Sequence, residues 1–174
     1  DYPDSKMIGD VLVDRAVTHY SQNQYSETLA VVQTLRTEHA GSENIDRALN
    51  LAGDVHFSNE DYPKAEEAYI KAREAAERRK HEDPHAHATA QLVNVGTSLE
   101  KWDDVCGYYD EFFQKYEGNR REAQVAVGGL QALGEKGRAT DGLTTLEKVI
   151  VRTANSDAAA ESDDLERAMG SYVT

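Results

Sequence analysis

The stretch that decides the fold is Gly53-Asp54-Val55-His56-Phe57-Ser58-Asn59-Glu60-Asp61-Tyr62-Pro63-Lys64-Ala65-Glu66-Glu67-Ala68-Tyr69-Ile70-Lys71-Ala72. Its second half sets Ala65, Tyr69 and Ala72 at i, i+4 and i+7. Just upstream, Leu49, Ala52, Gly53 and His56 fall at i, i+3, i+4 and i+7. Both stripes have the period of an α-helix with one apolar face. Between them lies a short polar turn ending in Asp61-Tyr62. The segment therefore predicts two helices joined by a tight turn, with a small residue, Gly53, where they cross.

With that register fixed, weaker copies appear on both sides. In the first, Ala16 takes the small position, Tyr25 the turn aromatic, and Thr28, Val32 and Leu35 the second-helix stripe. In the third, Trp102 is the turn aromatic, followed by Val105, Tyr109 and Phe112. In the fourth, Gly137 opens the turn and Gly142, Leu146 and Val149 form the stripe. The units begin at Gly9, Asp46, Ala86 and Ala123, at spacings of 37, 40 and 37. The joints between them (Glu38 to Ser42, Lys115 to Asn119, Arg152 to Ser156) each set a turn former after one helix and a capping residue before the next. The opening Asp1-Tyr2-Pro3-Asp4-Ser5 has the same style, so the chain is expected to be a segment of a longer protein.

This pattern resembles the tetratricopeptide repeat, a helix–turn–helix unit of about 34 residues. The match is closest over residues 46–79. The resemblance implies an all-α, right-handed superhelix of about four repeats (9–42, 46–79, 86–119 and 123–155) in a single array over 1–174. A partial fifth repeat or capping helix over 158–173 carries Leu165, Ala168, Met169 and Tyr172 on one face. The lengthened linkers are similar to those of tetratricopeptide proteins of the bacterial cell envelope. Examples are the lipoprotein of the outer-membrane β-barrel assembly machinery and the periplasmic protein of the Tol–Pal system. That similarity implies a periplasmic or envelope setting, with the cytoplasm as the alternative.

Composition narrows the function. The 174 residues include 19 Lys and Arg against 32 Asp and Glu, a net charge of −13. Such a chain lacks the basic footprint of unspecific nucleic-acid binding and is repelled by anionic membranes. No apolar run is long enough to insert in a bilayer. The single cysteine, Cys106, excludes an internal disulfide and a cysteine-based zinc module. It reads as a small buried apolar residue.

No catalytic constellation emerges, whether phosphate loop, dinucleotide fingerprint, nucleophile elbow or zinc-protease motif, and the expectation is a protein without catalytic activity or cofactor. The adjacent pairs Asp103-Asp104 and Asp163-Asp164 point to different sides of a helix and suit helix starts. One stretch looks metal-like: His81-Glu82-Asp83-Pro84-His85-Ala86-His87. Imidazoles suit zinc, nickel or copper, which makes His81, His85 and His87 a weak metal candidate. With Pro84 as a helix breaker, the stretch is otherwise expected to be a polar loop. Repeat four holds Gly128, Gly129, Gly134, Gly137 and Gly142 and is expected to be the softest.

The family pattern places partner-binding residues on the first helix of each repeat. Carried onto this sequence, it points to Tyr20, Arg47, Asn50, Asp54, Phe57, Asn94 and Ser98 as a groove. Chaperone-binding members hold a C-terminal carboxylate with Lys, Arg and Asn. Here the cations are missing and Asp54 would repel a carboxylate, so that variant is rejected. Asn50 and Asn94, with Tyr20 and Phe57 as aromatic edges, instead suit another protein or an extended peptide, neutral or basic. The leading expectation is a non-catalytic adaptor. The alternatives are a self-associating scaffold or homo-oligomer, and, behind it, a His-loop metal module.

Overall fold

The computed structural model describes residues 6–155. They form nine α-helices and no strand: α1 (Lys6–Ser21), α2 (Tyr25–Glu38), α3 (Ile45–Ser58), α4 (Tyr62–Arg79), α5 (Glu82–Ser98), α6 (Trp102–Lys115), α7 (Glu122–Gly128), α8 (Leu130–Glu135) and α9 (Ala139–Asn155). The chain divides into two compact units, residues 1–88 and 89–174, and the division falls inside α5.

Four hairpin turns share one backbone design. Asn23, Glu60, Glu100 and Gly137 adopt left-handed φ of 58°, 58°, 55° and 71°. In each case the next amide reaches back five residues: Gln24 N–H to His19 C=O, Asp61 to His56, Lys101 to Gly96 and Arg138 to Leu133. This bond satisfies a carbonyl that the helix end leaves orphaned. The left-handed residues recur at intervals of 37, 40 and 37, matching the register read from the sequence. Three of the four are not glycine, and each of those costs about 1–2 kcal/mol against the same turn with glycine. The helix following each of the first three turns opens with its aromatic: Tyr25, Tyr62 and Trp102.

In residues 1–88 the core is built from the stripes that the spacing predicts. Ala16, Thr28, Val32 and Leu35 are buried, as are Leu49, Ala52, Ala65, Tyr69 and Ala72. Small residues set the approach of α3 to α4. A Cβ added to Gly53 would collide with the Tyr69 ring, so only glycine admits a fully buried tyrosine at that crossing.

Residues 89–155 repeat the scheme with a different wedge. Val105, Tyr109 and Phe112 of α6 are buried, as are Val125, Ala126, Ala132 and Leu133 of α7 and α8, on which α6 packs, and Val149 of α9. Gly129 separates α7 from α8, and a side chain there would run into the Tyr109 ring. The first helix of the fourth hairpin is thus broken where the sequence is richest in glycine. The buried carboxylate of Glu122 accepts from the Gly118 amide at 2.8 Å and pairs with Arg152.

Two sequence expectations are corrected. The stretch 81–87 is not a loop: α5 starts at Glu82 and Pro84 sits in its first turn. The first turn has no intrahelical acceptors for its N–H groups, so a residue lacking one costs nothing there. The joint residues Ser42 and Asn119 do not cap helices. Ser42 Oγ accepts from the Asn44 amide at 3.3 Å and Asn119 Oδ1 from the Arg121 amide at 3.0 Å, which tightens the joint just before the helix begins. The opening loop 1–5, the Asp163-Asp164 pair, Ser156 and the fifth unit over 158–173 lie outside the described residues.

Candidate functional site

Surface positions on the first helix of every hairpin follow one rule, i, i+4, i+7 and i+11. On α1 they are Asp10, Asp14, Val17 and Ser21; on α3, Arg47, Leu51, Asp54 and Ser58. On α5 they are His87, Gln91, Asn94 and Ser98; on α7 and α8, Gln124, Gly128, Gln131 and Glu135. All are exposed or half-buried, while Val13, Asn50 and Ala90, three residues after the first of them, are buried and the equivalent Val127 is half-buried. Of the expected residues, Arg47, Asp54, Asn94 and Ser98 fall on these positions and reach the surface.

Asn50 does not. It is 5% exposed, and its Nδ2 donates to the Pro84 carbonyl at 2.9 Å. Its Oδ1 is buried without a hydrogen-bond partner. Asn50 is the middle rung of a polar seam along α3. At one end, Asp46 is fully buried, with Oδ2 2.6 Å from His81 Nδ1 and Oδ1 accepting from the Arg47 amide at 2.7 Å. At the other, Asp54 Oδ1 accepts from Tyr69 Oη at 2.7 Å and lies 3.0 Å from His87 Nε2. Asp46, Asn50 and Asp54 stand at i, i+4 and i+8, and their partners His81, Pro84 and His87 at i, i+3 and i+6. The rungs therefore join residues 35, 34 and 33 apart. Such pairing offsets the cost of burying a carboxylate or amide, and in this seam Asn50 Oδ1 is left without it. Burial pushes the Tyr69 phenol far above its ordinary pKa, and Asp54 adds to the shift, so Tyr69 is a permanent donor.

The seam also accounts for two of the histidines in the metal-like stretch. His81 and His87 each meet a different aspartate of α3, and His85 is buried. Among the described residues, no three His, Cys, Asp or Glu side chains converge as a metal site requires. Cys106 is buried, and that burial raises its thiol pKa, which disfavours a nucleophilic thiolate.

The remaining expected residues divide between the two units. In the first, Tyr20 Oη lies 3.5 Å from Ser58 Oγ, which brings the ends of α1 and α3 together. The Tyr20 ring stands 5.8 Å from Tyr25, and the Phe57 ring 5.6 Å from Tyr62. These four aromatics are half-buried, as is Asp54, and Val17 is 43% exposed on α1. Arg47 is exposed near the opposite end of α3. In the second unit, Asn94 Nδ2 donates to Gln91 Oε1 at 3.0 Å and Gln124 Nε2 donates to the same oxygen at 2.9 Å. Ser98 Oγ donates to the Asn94 carbonyl at 3.2 Å. Sequence reasoning missed Gln91, which follows the buried Ala90. Polarity was the available signal, because a glutamine beside an alanine is the one to face water.

The chain matches no family model and no curated protein. Among the described residues no helix is long and apolar enough to cross a membrane.

Proposed function

We propose that this chain is a tetratricopeptide-type array, a right-handed superhelix of helical hairpins. It acts as a non-catalytic module that holds an extended segment of a partner protein along its first helices. The observation that carries the reading is the shared register of the four surface stripes. Every hairpin presents the same positions outward, which is how a repeat protein builds an extended binding surface. In residues 1–88 the patch made by Asp54, Tyr20 and Phe57 favours a basic segment: carboxylate pairs with Lys or Arg, and aromatic faces attract cations. The envelope setting draws its support from the lengthened joints.

Panning a displayed random-peptide library against the folded chain tests this. Enriched peptides should carry Lys or Arg, lose affinity as salt rises, and bind more weakly to an Asp14→Asn/Tyr20→Ala variant of unchanged circular dichroism. A library that yields no enriched sequence contradicts the reading. One observation favours self-association as a second reading. Val11 on α1 and Leu143 and Val151 on α9 are 61%, 59% and 54% exposed, apolar side chains that a second copy could cover. Light scattering that reports a monomer at every concentration removes it.

A further inference from the structure

We infer that two copies of this chain join through unlike faces, α1 of one copy packing antiparallel on α9 of the other. The inference rests on the self-association reading above and names its surfaces. Among the described residues, three large apolar side chains are more than half exposed: Val11 on α1, and Leu143 and Val151 on α9. They stand on the first and the last described helix. The repeat register shows what the α1 face lacks. Counted back from the left-handed turn residues, the place of Val11 is taken by Ala48 in α3, Ala88 in α5 and Val125 in α7, and all three are fully buried. α3 has α2, the second helix of the preceding hairpin, to pack on. α1 follows no hairpin among the described residues, so the same face is bare. What fits it is the second helix of a hairpin. α9 is the second helix that no further hairpin follows among the described residues. Another copy supplies it, and the contact continues the register already present between α2 and α3.

The two faces match in spacing and in charge. Val11, Arg15 and His19 follow i, i+4 and i+8 on α1, and Leu143, Glu147 and Val151 follow the same spacing on α9. Laid antiparallel, Val11 meets the second copy's Val151 and Arg15 its Glu147, with His19 beside its Leu143. Arg15 and Glu147 are both exposed. Arg15 Nε donates to His19 Nε2 at 3.4 Å, which leaves both terminal nitrogens of the guanidinium for a carboxylate. Beside these two stand Asp14 and Lys148, also exposed and opposite in sign. Each face therefore carries one cation and one anion, in a chain of net charge −13. Two copies repel each other through that net charge, and neutral faces are where they meet with least repulsion.

The test is sedimentation velocity over a range of concentrations with the full chain and two charge reversals, Arg15→Glu and Glu147→Lys. Both sites are exposed, so each variant should keep the wild-type melting temperature. Wild type should gain mass as concentration rises. Each variant alone should need about tenfold more protein to associate, because like charges then face each other across the contact. An equimolar mixture of the two should associate again, since the reversed α1 of one copy finds the reversed α9 of the other. Loss of association by some other route would not be rescued by mixing. If wild type associates and the variants do so equally, or if the mixture is no better than its parts, the inference is overturned while self-association stands. If wild type stays monomeric at every concentration, the self-association reading fails and the inference with it.

Discussion

The first helices of residues 1–88 bring Asp10, Asp14, Arg47 and Asp54 to the surface, whereas α5, α7 and α8 in residues 89–155 bring Gln91, Asn94, Gln124 and Gln131 to equivalent places. The backbone beneath is the same: the same left-handed turn, the same second-helix stripe, the same crossing by small residues. Outward positions that meet only water can change their chemistry at little cost to the hairpin; Asp54, which also accepts from the buried Tyr69, cannot. Inward polar positions have no such freedom. Asp46 and Asn50 are held by His81 and Pro84, and altering any rung exposes a buried group to an unpaired state. The two units also differ in helix continuity: the first helix of the last hairpin is split at Gly129, while α3 runs unbroken.

Core changes should produce the largest effects and show whether the units are energetically separate. Phe112 is fully buried in α6, and Phe112→Ala should cost about 3–5 kcal/mol. Hydrogen exchange should then report lost protection in α6 to α9 and little change in α1 and α2. Equal loss throughout would mean that one cooperative body underlies both units. Next in size is Gly53→Ala, which drives a methyl into the Tyr69 ring and should cost about 1–3 kcal/mol by urea unfolding. Ala65→Leu, at a fully buried position, should cost a similar amount. An unchanged midpoint for both would break the claim that small residues set the crossings.

Smaller effects probe the seam. Tyr69→Phe removes the donor to Asp54 and should cost about 1 kcal/mol. His56 gives a pH signature, because burial holds its pKa below the ordinary value, against a weaker opposing pull from Asp61. The fold therefore favours the neutral imidazole. The stabilisation is complete above the unfolded pKa of about 6.5 and declines as pH falls through it. The urea midpoint should drop on acidification across that range, and His56→Gln should flatten the drop. Smallest of all, Gln124→Glu should leave stability unchanged, since the side chain is exposed.

How much was legible in the sequence follows from which residues carry a period. The second-helix stripes Thr28/Val32/Leu35, Ala65/Tyr69/Ala72 and Val105/Tyr109/Phe112 are apolar at helical spacing, and all are buried. The turn aromatics and Gly137 marked the hairpins equally well. The site was read less fully. Asn50 looks like a groove amide because polarity suggests a surface, yet its partner is a carbonyl 34 residues away that no local pattern announces. The histidines 81–87 look like a ligand cluster because they are close in sequence, but His81, just before α5, and His87, within it, meet different aspartates of α3, and His85 is buried. Pairings across helices depend on which faces meet, and this is fixed by packing rather than by neighbours in the chain.

The measurement that most directly tests the central claim is amide chemical-shift mapping of the full chain against a peptide enriched from the displayed library. The account predicts shifts concentrated on the outward stripes of α1, α3, α5, α7 and α8, with Asp14, Asp54, Gln91 and Gln124 among the largest. Shifts concentrated on α2, α4, α6 and α9 would contradict it.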